Sequence, residues 1–538
     1  MLKFWKSRRQ SRAKFVRQAA GGQRHLRFEM LETRKLLSST GLSGDFNGDG
    51  FADLAIGAPG RTIGAAKGTG AVTVLYGTST SGLSTAGNQL WDLARSGMAG
   101  SAQSNDQYGA AIAVGDFNGD GYTDLAIGAP GRTVAGAAGA GAVNIIYGSA
   151  TGLTVAGNQL WTEINAIPGT LIQANSAFGT KLTTGDFNGD GYVDLAISAP
   201  FLKVGTVKNA GGVYVLYGSA AGLTHGSTQF VSQGTGGILG TPMANSEFGK
   251  ALTAGDFNED GIADLAVGTP NYVKGSAQQA GAVNVIYGTS SGLSSAGNQL
   301  WTQFPVVNTV GTFVQGNPGA GALFGWSLTT GDFNNDGVTD LAVGAPGEIV
   351  GVVKAGSVNI IYGATDGSGL ISKGNQLITR KALGSTSANG DEFGFALAAG
   401  NFNGQPGDDL AIGAPLAEVG SVQDAGLVAV VSGSTKGLVL TGVTFISQGT
   451  AGFGDAAKKG DNFGATLAAG DYNGDGYIDL DVGSPTESLG TAIGTGVVQT
   501  FYGSTLGLTP KQQQLWREGL PGLQLTLAAG DGFGLGVG

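Results

Sequence analysis

Cysteine is absent from all 538 residues, which excludes disulfide bonds, thiolate metal sites and a cysteine nucleophile. No apolar run approaches the ~18 residues that a membrane-spanning helix requires, so no such helix is predicted. The body of the chain carries a single histidine, His225, and no neighbouring segment repeats it, which favours a solvated side chain over a catalytic one. Glycine, by contrast, accounts for 100 residues without a three-residue period, and this favours turn-rich β structure over collagen.

Positive charge is scarce outside the N-terminus. Residues 1–40 carry eleven Lys and Arg against two Glu, whereas the remaining residues carry 18 basic and 37 acidic side chains. An acidic body offers no basic face, and we therefore expect no nucleic-acid partner. Eighteen of the 37 acids are the three Asp residues in each of six copies of a short loop, which indicates that much of the acidity serves as ligand charge.

The first 40 residues differ from everything that follows. They are basic and lack the apolar core of ~7–15 residues of an ordinary secretory signal. The stretch 26–38 resembles an N-terminal motif of large bacterial surface and secreted proteins. We predict that residues 1–40 form an export or targeting segment outside the fold, and a weakly structured basic tail is the alternative.

A nine-residue stretch, 45–53, organises the rest of the chain. It places carboxylate or amide oxygens at its first, third, fifth and ninth positions and Gly50 at its sixth. Alternate residues of a tight loop can point inward to one hard cation, and glycine permits the sharp turn. Further copies begin at Asp116, Asp186, Asp256, Asp332 and Asp471, and an altered copy begins at Asn401, at steps of 69 to 76 residues. Seven copies in phase predict a repeat architecture.

Each repeat unit contains four short strand signals. A Phe-Gly or Tyr-Gly pair precedes the loop, an Asp-Leu-Ala-Ile-Gly-Ala-Pro run follows it, and a Val/Ile/Tyr-rich run and an Asn-Gln-Leu-Trp run come next. Proline cannot donate to a β ladder, so the seven equivalent prolines mark the end of the second strand. The pattern predicts an all-β fold, a seven-bladed β-propeller of four-stranded antiparallel blades over residues 41–538, with a short basic N-terminal extension.

The two ends of the repeat predict how the ring closes. The first unit lacks a Phe-Gly pair before Asp45, whereas Phe533-Gly534 occupies the first-strand position of an eighth unit that stops at Gly538. We predict that residues 533–538 complete the first blade and so remove both free sheet edges.

These motifs, in this order, resemble the FG-GAP repeat, the unit of integrin α-subunit propellers and of related bacterial, lectin-like and phospholipase-associated propellers. The resemblance covers residues 42–538. It implies that each loop joins the first and second strands of a blade and binds Ca²⁺ on the lower face, while ligands meet the upper face. The lack of cysteine and of leg and membrane segments departs from metazoan integrins, so the chain is not expected to be an integrin.

The resemblance assigns five ligands to each intact loop, namely the side chains at positions one, three, five and nine and the carbonyl oxygen at position seven. The metal ligands predicted in this way are Asp45, Asn47, Asp49, Phe51, Asp53, Asp116, Asn118, Asp120, Tyr122, Asp124, Asp186, Asn188, Asp190, Tyr192, Asp194, Asp256, Asn258, Asp260, Ile262, Asp264, Asp332, Asn334, Asp336, Val338, Asp340, Asp471, Asn473, Asp475, Tyr477 and Asp479.

Oxygen ligands on a flexible loop suit Ca²⁺ better than Zn²⁺ or Mg²⁺, so we expect six structural Ca²⁺ sites, one for each intact loop. The altered loop, Asn401–Asp409, lacks two of the carboxylates, which should weaken or abolish its site. Asp, Asn and Gly are also common in ordinary turns. Turn formation explains one such loop but not three mutually repelling carboxylates retained in six of them.

We expect a calcium-binding extracellular β-propeller that acts as a non-enzymatic adhesion or ligand-binding module, secreted or on a bacterial surface, and monomeric. Its partner is expected to be an extracellular protein or polysaccharide. A carbohydrate-active enzyme (a lyase or hydrolase) or a lectin on the same scaffold is the alternative. Since no nucleophile, histidine and acid can be assembled into a catalytic set from the sequence, the chain is predicted not to be an enzyme.

Ligand recognition is predicted on the face opposite the metal loops. The loops after Gly-Ala-Pro differ from unit to unit, and they carry Arg61, Arg132, Lys203, Tyr272 and Lys274. We predict a mildly basic arc there that meets an acidic protein or polysaccharide, and merely solvated loop charges are the alternative.

Overall fold

The structure is a computed structural model, and it describes residues 44–538 except 80, 170, 304–312, 317–318, 449, 451–455 and 510–512. The predicted export segment, residues 1–40, lies outside the described residues, and its assignment stays a prediction. The described part lies within one compact unit.

Seven four-stranded antiparallel sheets form the blades of a closed ring, so the predicted seven-bladed β-propeller is confirmed. The innermost strand of each blade contacts the innermost strands of the two neighbouring blades. The innermost strands are β4 (Ala111–Gly115), β8 (Leu182–Gly185), β12 (Ala251–Gly255), β16 (Ser327–Gly331), β22 (Leu397–Gly400), β26 (Thr466–Gly470) and β30 (Gly536–Val537).

The other three strands of each blade follow in order towards the rim. The second strands are β1 (Leu54–Ala58), β5 (Asp124–Ala129), β9 (Asp194–Ala199), β13 (Asp264–Thr269), β17 (Asp340–Ala345), β23 (Asp409–Ala414) and β27 (Asp479–Ser484). The third strands are β2 (Ala71–Tyr76), β6 (Ala142–Tyr147), β10 (Gly212–Tyr217), β14 (Ala282–Tyr287), β20 (Ser357–Gly363), β24 (Leu427–Val431) and β28 (Val497–Phe501). The outermost strands are β3 (Ser84–Trp91), β7 (Thr154–Trp161), β11 (Thr224–Val231), β15 (Ser294–Trp301), β21 (Leu370–Ile378), β25 (Thr444–Ile446) and β29 (Gln513–Trp516). A short hairpin, β18 (Ile349–Val350) and β19 (Val353–Lys354), and one helical turn, α1 (Glu163–Ala166), complete the described elements.

Burial explains the sequence pattern of the strands. Every residue of β5 and β6 is buried, because blades pack face to face and cover both sides of the middle strands. These strands therefore read as continuous apolar runs, whereas the outermost strand β3 mixes buried and exposed residues. Trp91 at the end of β3 is fully buried and packs in a cluster with Tyr108 and Ile112 of the next blade.

The glycine of each Gly-Ala-Pro run meets the glycine of a Phe-Gly or Tyr-Gly pair where neighbouring blades touch. A Cβ added to Gly57 would lie 2.0 Å from the carbonyl oxygen of Gly109 in the next blade. A Cβ on Gly128 would lie 2.2 Å from the carbonyl oxygen of Gly179. Since real Cβ atoms do not approach backbone this closely, glycine is required on the second strand for the blades to pack at this distance.

The C-terminal residues close the ring, as predicted. Strand β30 pairs with β1, with Val537 opposite Ile56 and Gly536 opposite Gly57. Backbone hydrogen bonds between Ala55 and Gly538, 2.8 and 3.1 Å long, extend this pairing to the last residue. The first blade is therefore built from both ends of the described chain.

The seam between the first and last blades carries the same contacts as the other blade boundaries. Within the ring, the backbone N–H of Leu153 donates to Tyr76 Oη at 3.3 Å, joining the third strand of one blade to the outer hairpin of the next. Across the seam, the backbone N–H of Leu83 donates to Tyr502 Oη at 2.9 Å. The seam is thus a regular blade boundary.

The seventh blade contains a buried polar network where the other blades are apolar. Asp481 accepts hydrogen bonds from Tyr472 Oη and Thr500 Oγ1, and Thr500 Oγ1 accepts a further bond from Trp516 Nε1 at 3.1 Å. The residue equivalent to Asp481 is Ala55 in the first blade. Burial raises the pKa of Asp481 to about 7, and the two hydroxyl donors oppose that rise.

We expect Asp481→Ala to destabilise the protein by about 1–3 kcal/mol, because it leaves the buried Tyr472 hydroxyl without an acceptor. The double variant D481A/Y472F removes the acceptor together with its tyrosine donor, while the Thr500 hydroxyl keeps the hydrogen bond that it accepts from Trp516 Nε1. We expect it to recover most of the loss in chemical denaturation. A double variant as unstable as the single one would show that the network contributes more than the mutual satisfaction of its polar groups.

Candidate metal centre and ligand face

The repeated acidic loops lie at one end of the ring. Each connects an innermost strand to the second strand of the same blade, as Asp116 to Thr123 does between β4 and β5. Equivalent connections in a ring of blades share one face. The loop before β1 occupies the same position, because its innermost strand is β30.

Within the first loop, the polar side chains curl back over the loop backbone. The backbone N–H groups of Asp49 and Gly50 donate to the two carboxylate oxygens of Asp45, at 3.0 and 2.9 Å. Asn47 Oδ1 accepts from the Asp49 N–H at 2.9 Å, and Asp49 Oδ1 accepts from the Phe51 N–H at 3.1 Å. Gly50 has φ +90° with open space around it, so the turn itself requires glycine. The side chains at positions one, three and five therefore face the loop interior.

The aspartate at the ninth position ties the loop to the blade. Asp53 Oδ2 accepts from the Phe46 N–H at 2.8 Å, and Asp53 Oδ1 accepts from the Gly77 N–H at 2.9 Å. The same pair of contacts recurs at Asp124, Asp194, Asp264, Asp340, Asp409 and Asp479. This residue thus braces the loop in every blade, the altered one included.

Mutual repulsion disfavours three ionised carboxylates in one loop when no cation is present. Burial raises the pKa of Asp53 to about 8, two backbone donors oppose the rise, and the charges of Asp45 and Asp49 add to it. In the altered loop, burial raises the pKa of Asp409 only to about 6, and the Asn403 amide is among the groups that oppose the rise. A divalent cation among the carboxylates would reverse the repulsion, since it is the largest charge in such a site.

Neighbouring loops are joined directly. The backbone N–H of Thr123 in the second loop donates to the Asp45 carbonyl oxygen at 3.0 Å, and that of Val193 in the third donates to the Asp116 carbonyl oxygen at 3.2 Å. The Ala52 N–H makes the same contact with Asp471 across the seam at 3.1 Å. Because of these hydrogen bonds, a ligand that orders one loop would also order the boundary with the next blade.

The donor set fits Ca²⁺ in chemistry. Two carboxylates, an amide oxygen and a carbonyl oxygen of one loop, with a buried carboxylate behind them, are the hard ligands that this ion takes. In the arrangement described, their oxygens bond to backbone N–H groups instead. Among the described residues, no three Asp, Glu, His or Cys side chains converge closely enough to hold a metal ion. Metal binding by these loops stays a prediction.

In the altered sixth loop, the side-chain amides of two asparagines form the hydrogen bonds. Asn401 Nδ2 donates to the Gln405 carbonyl oxygen at 2.9 Å, and Asn403 Nδ2 donates to Asp409 Oδ1 at 2.9 Å. Asn403 Nδ2 also lies 3.2 Å from Ser432 Oγ. The Asn403 amide thus donates to the buried Asp409, whereas in the intact loops the equivalent amide donates to the fifth-position aspartate, as Asn47 does to Asp49 at 3.0 Å. This arrangement offers a physical reason why the sixth loop needs no cation.

The structure places the two predicted ligand-face arginines in buried ion pairs. Arg61 Nη1 lies 3.2 Å from Glu518 and 3.0 Å from Asp531, and Arg132 Nη1 lies 2.9 Å from Asp106. Both guanidinium groups are largely removed from water and neutralised by carboxylates. They fasten loops together and do not contribute to an exposed basic arc.

The other three predicted ligand-face residues do not form a continuous patch with the arginines. Tyr272 is buried, Lys203 is exposed, and Lys274 is half-buried. The backbone of Lys274 forms two hydrogen bonds with Ala277 in its own loop, which fixes the loop but not the side chain. The predicted set is thus divided between interior and surface.

A different group of side chains lies at this end of the ring axis. Lys250 Nζ lies 5.5 Å from the centre of the Phe201 ring and 5.4 Å from the centre of the Trp326 ring. The Trp326 and Phe395 rings are 5.5 Å apart. Three of the four residues directly follow the glycine of a Phe-Gly pair, a position occupied by Ala110 in the second blade. That variation within an otherwise regular repeat is the signal that would have found them.

The FG-GAP repeat family matches residues 38–75, 108–145, 178–216, 248–286, 324–361 and 463–500, which leaves out the blade with the altered loop. A phosphatidylinositol-glycan-specific phospholipase D of Rattus norvegicus is 35% identical over 179 residues, which are 33% of this chain and 20% of that protein. Integrin alpha-PS5 of Drosophila melanogaster is 36% identical over 178 residues, 32% of this chain and 15% of that protein. The chain thus matches about a fifth or less of the length of these relatives.

Among solved structures, an exotype rhamnogalacturonan lyase is similar with a TM-score of 0.38 and 12% sequence identity, covering 91% of this chain and 82% of the lyase. No helix in the described residues is long and apolar enough to cross a membrane.

The prediction that the chain is not an enzyme is wrong. Relatives that share about a third of their residues with it over the matched segments are named phospholipase D, so repeats of this kind occur in enzymes. The prediction rested on the lack of a catalytic set in the repeat sequence. Fold and repeat do not decide activity, because function resides in sites carried by a scaffold.

Proposed function

Because this chain is an FG-GAP repeat β-propeller, we propose that it is an extracellular ligand-binding module whose blades are held together by calcium. Six of its seven loops bind one Ca²⁺ each on the lower face, and the opposite face meets an extracellular protein or polysaccharide. The observation that carries the proposal is the recurrence of one loop geometry in six blades, in which the charges of the first and fifth aspartates raise the pKa of the ninth.

The cation acts on the blade boundary as well as on the loop. The carbonyl oxygen of Asp45 accepts a hydrogen bond from the next blade, so ordering the Asp45 side chain also orders that contact. Rigidity from calcium replaces the disulfides that a cysteine-free extracellular protein lacks. The altered loop needs no such help, since its Asn side chains fill the interior.

Counting bound calcium tests the assignment. We expect six ions per chain at saturation, five in Asp120→Ala, and six in Gln405→Ala, which changes the equivalent fifth position of the altered loop. Equilibrium dialysis with elemental analysis measures this directly. Seven ions in the wild-type chain, or an equal loss in both variants, would contradict the distinction between intact and altered loops. Fewer than about three ions would reject the calcium proposal itself, since weak extracellular sites still fill at millimolar calcium.

A second candidate function is substrate recognition within an enzyme, and the relatives named phospholipase D favour it. The propeller would then present a substrate to a catalytic site. Measuring the binding of a phosphatidylinositol-glycan substrate to the purified chain, together with product release, tests this candidate. Release that a metal-loop variant such as Asp120→Ala reduces would link the activity to the folded propeller.

A further inference from the structure

We propose that the cluster of Phe201, Lys250, Trp326 and Phe395, together with Lys181, binds an acidic sugar unit of a polysaccharide. We call these five residues the axial cluster. The proposal rests on the ligand-binding function proposed above and names a site and a ligand class for it. The cluster lies at the end of the innermost strands remote from the calcium loops, since Lys250 and Trp326 directly precede β12 and β16.

The aromatic members form a half-exposed platform. Phe201, Trp326 and Phe395 are each neither fully buried nor fully exposed, and the apolar clusters that fill the blade boundaries do not include them. A half-exposed aromatic surface is suited to the C–H face of a sugar ring, as apolar and aromatic groups line most small-ligand sites. Together with Lys250, the three rings come from four successive blades, and neighbouring members lie 5.4–5.5 Å apart.

The positive charges at the cluster favour an anionic ligand. Lys181 is exposed and directly precedes β8, the innermost strand of the blade next to that of Lys250. Desolvation and the charge of Lys250 lower the pKa of Lys181. Lys250 has one carboxylate partner, Glu247, at 3.4 Å, whereas Lys181 has no ion pair with any described residue. Of the two lysines, only Lys250 thus has a carboxylate partner, although the body of the chain is acidic overall. A ligand carboxylate would relieve the repulsion between them.

A polar cleft begins beside the cluster at Glu247, and its lining can pair with sugar hydroxyl groups. Its volume is about 420 Å³, and the amide side chains of Asn245, Asn271, Gln278 and Gln279 line it. Amides supply both donors and acceptors, which is the pairing that sugar hydroxyl groups require. Aromatic platform, unpaired lysine and amide-lined cleft together match a chain of uronic acid units.

The other blades lack this combination. The positions equivalent to Lys250 and Trp326 hold Ala110, Ala465 and Leu535 in the second blade, the seventh blade and the closing strand. The cluster is therefore a local departure from the repeat on one side of the axis, and packing of the repeat does not require it.

Calorimetry with a glucuronic acid hexasaccharide tests the proposal, in calcium-containing buffer of low ionic strength. We expect the wild-type chain to bind it, and expect Trp326→Ala and the double variant K181Q/K250Q each to weaken binding at least about tenfold. The variant K373Q/K436Q changes the same number of charges at exposed positions on the outermost strand β21 and in the loop before β25, and should bind as the wild type does. The same hexasaccharide with its carboxyl groups reduced to alcohols should bind at least about tenfold more weakly.

Three outcomes would overturn the proposal: no binding by the wild-type chain, equal binding by the cluster and control variants, or tighter binding of hexaglutamate, which would assign the cluster to acidic peptides. A thermal melt of every variant with and without calcium separates this failure from that of the proposed function. Variants that keep calcium-dependent stability while the hexasaccharide fails to bind would reject the sugar site and leave the calcium-held propeller in place.

Discussion

Removal of calcium is expected to lower the melting temperature of the propeller by about 10 °C. Sites with dissociation constants of roughly 10⁻⁴–10⁻³ M each contribute about 1.4–2.7 kcal/mol at about 10 mM calcium, because the ion binds only the folded loop. Six sites together supply about 8–16 kcal/mol, and about 1 kcal/mol shifts the melting temperature by about 1 °C in a domain of this size. Differential scanning calorimetry with calcium and with a chelator measures the difference.

Magnesium at the same concentration is the matched control for ionic strength. It demands a tighter octahedral shell and gives up water reluctantly, so we expect it to restore little of the loss. Equal melting temperatures in calcium, magnesium and chelator would show that the backbone hydrogen bonds described for Asp45 and Asp49 are sufficient to hold the loops. The carboxylates would then be turn residues alone.

The fold could be predicted from the sequence because each blade repeats the same physical requirements. Gly57 and Gly109 allow neighbouring blades to touch, and Pro59 marks the end of the second strand. The same reasoning assigned the closing strand, because a Phe-Gly pair without a following loop has to complete a blade that lacks one. Residue types fixed by backbone geometry and blade packing are those that a repeat displays most clearly.

The ligand face could not be predicted in the same way. Arg61 and Arg132 occur in variable loops of an acidic chain, and from the sequence they look like exposed charges. Their partners, Glu518, Asp531 and Asp106, lie up to 470 positions away or in another loop, so only the folded ring brings them together. Lys250 and Trp326, by contrast, directly precede the innermost strands β12 and β16, at a position where the residue type differs from unit to unit. For the two arginines and for Lys250 and Trp326 alike, tertiary contacts decide what the side chain does.

The seam between the first and last blades is expected to be the most sensitive place in the ring. Phe533→Ala should destabilise the protein by about 3–5 kcal/mol, because Phe533 is fully buried and its removal leaves a cavity between blades. Deletion of residues 533–538 should cost more, about 5–8 kcal/mol, since it also removes the backbone hydrogen bonds of Gly534 and Gly538 to the first blade. Chemical denaturation measures both.

Leu535→Ala is the matched control, because Leu535 lies in the same segment with nearly half of its surface exposed and should change stability by less than about 0.5 kcal/mol. The truncated chain also leaves β1 as an unpaired edge, and exposed edges pair with other chains. We therefore expect it to form dimers or larger species in sedimentation experiments, whereas F533A remains at the wild-type size. A truncated chain that keeps wild-type size and stability would mean that blade packing, and not the closing strand, holds the ring shut.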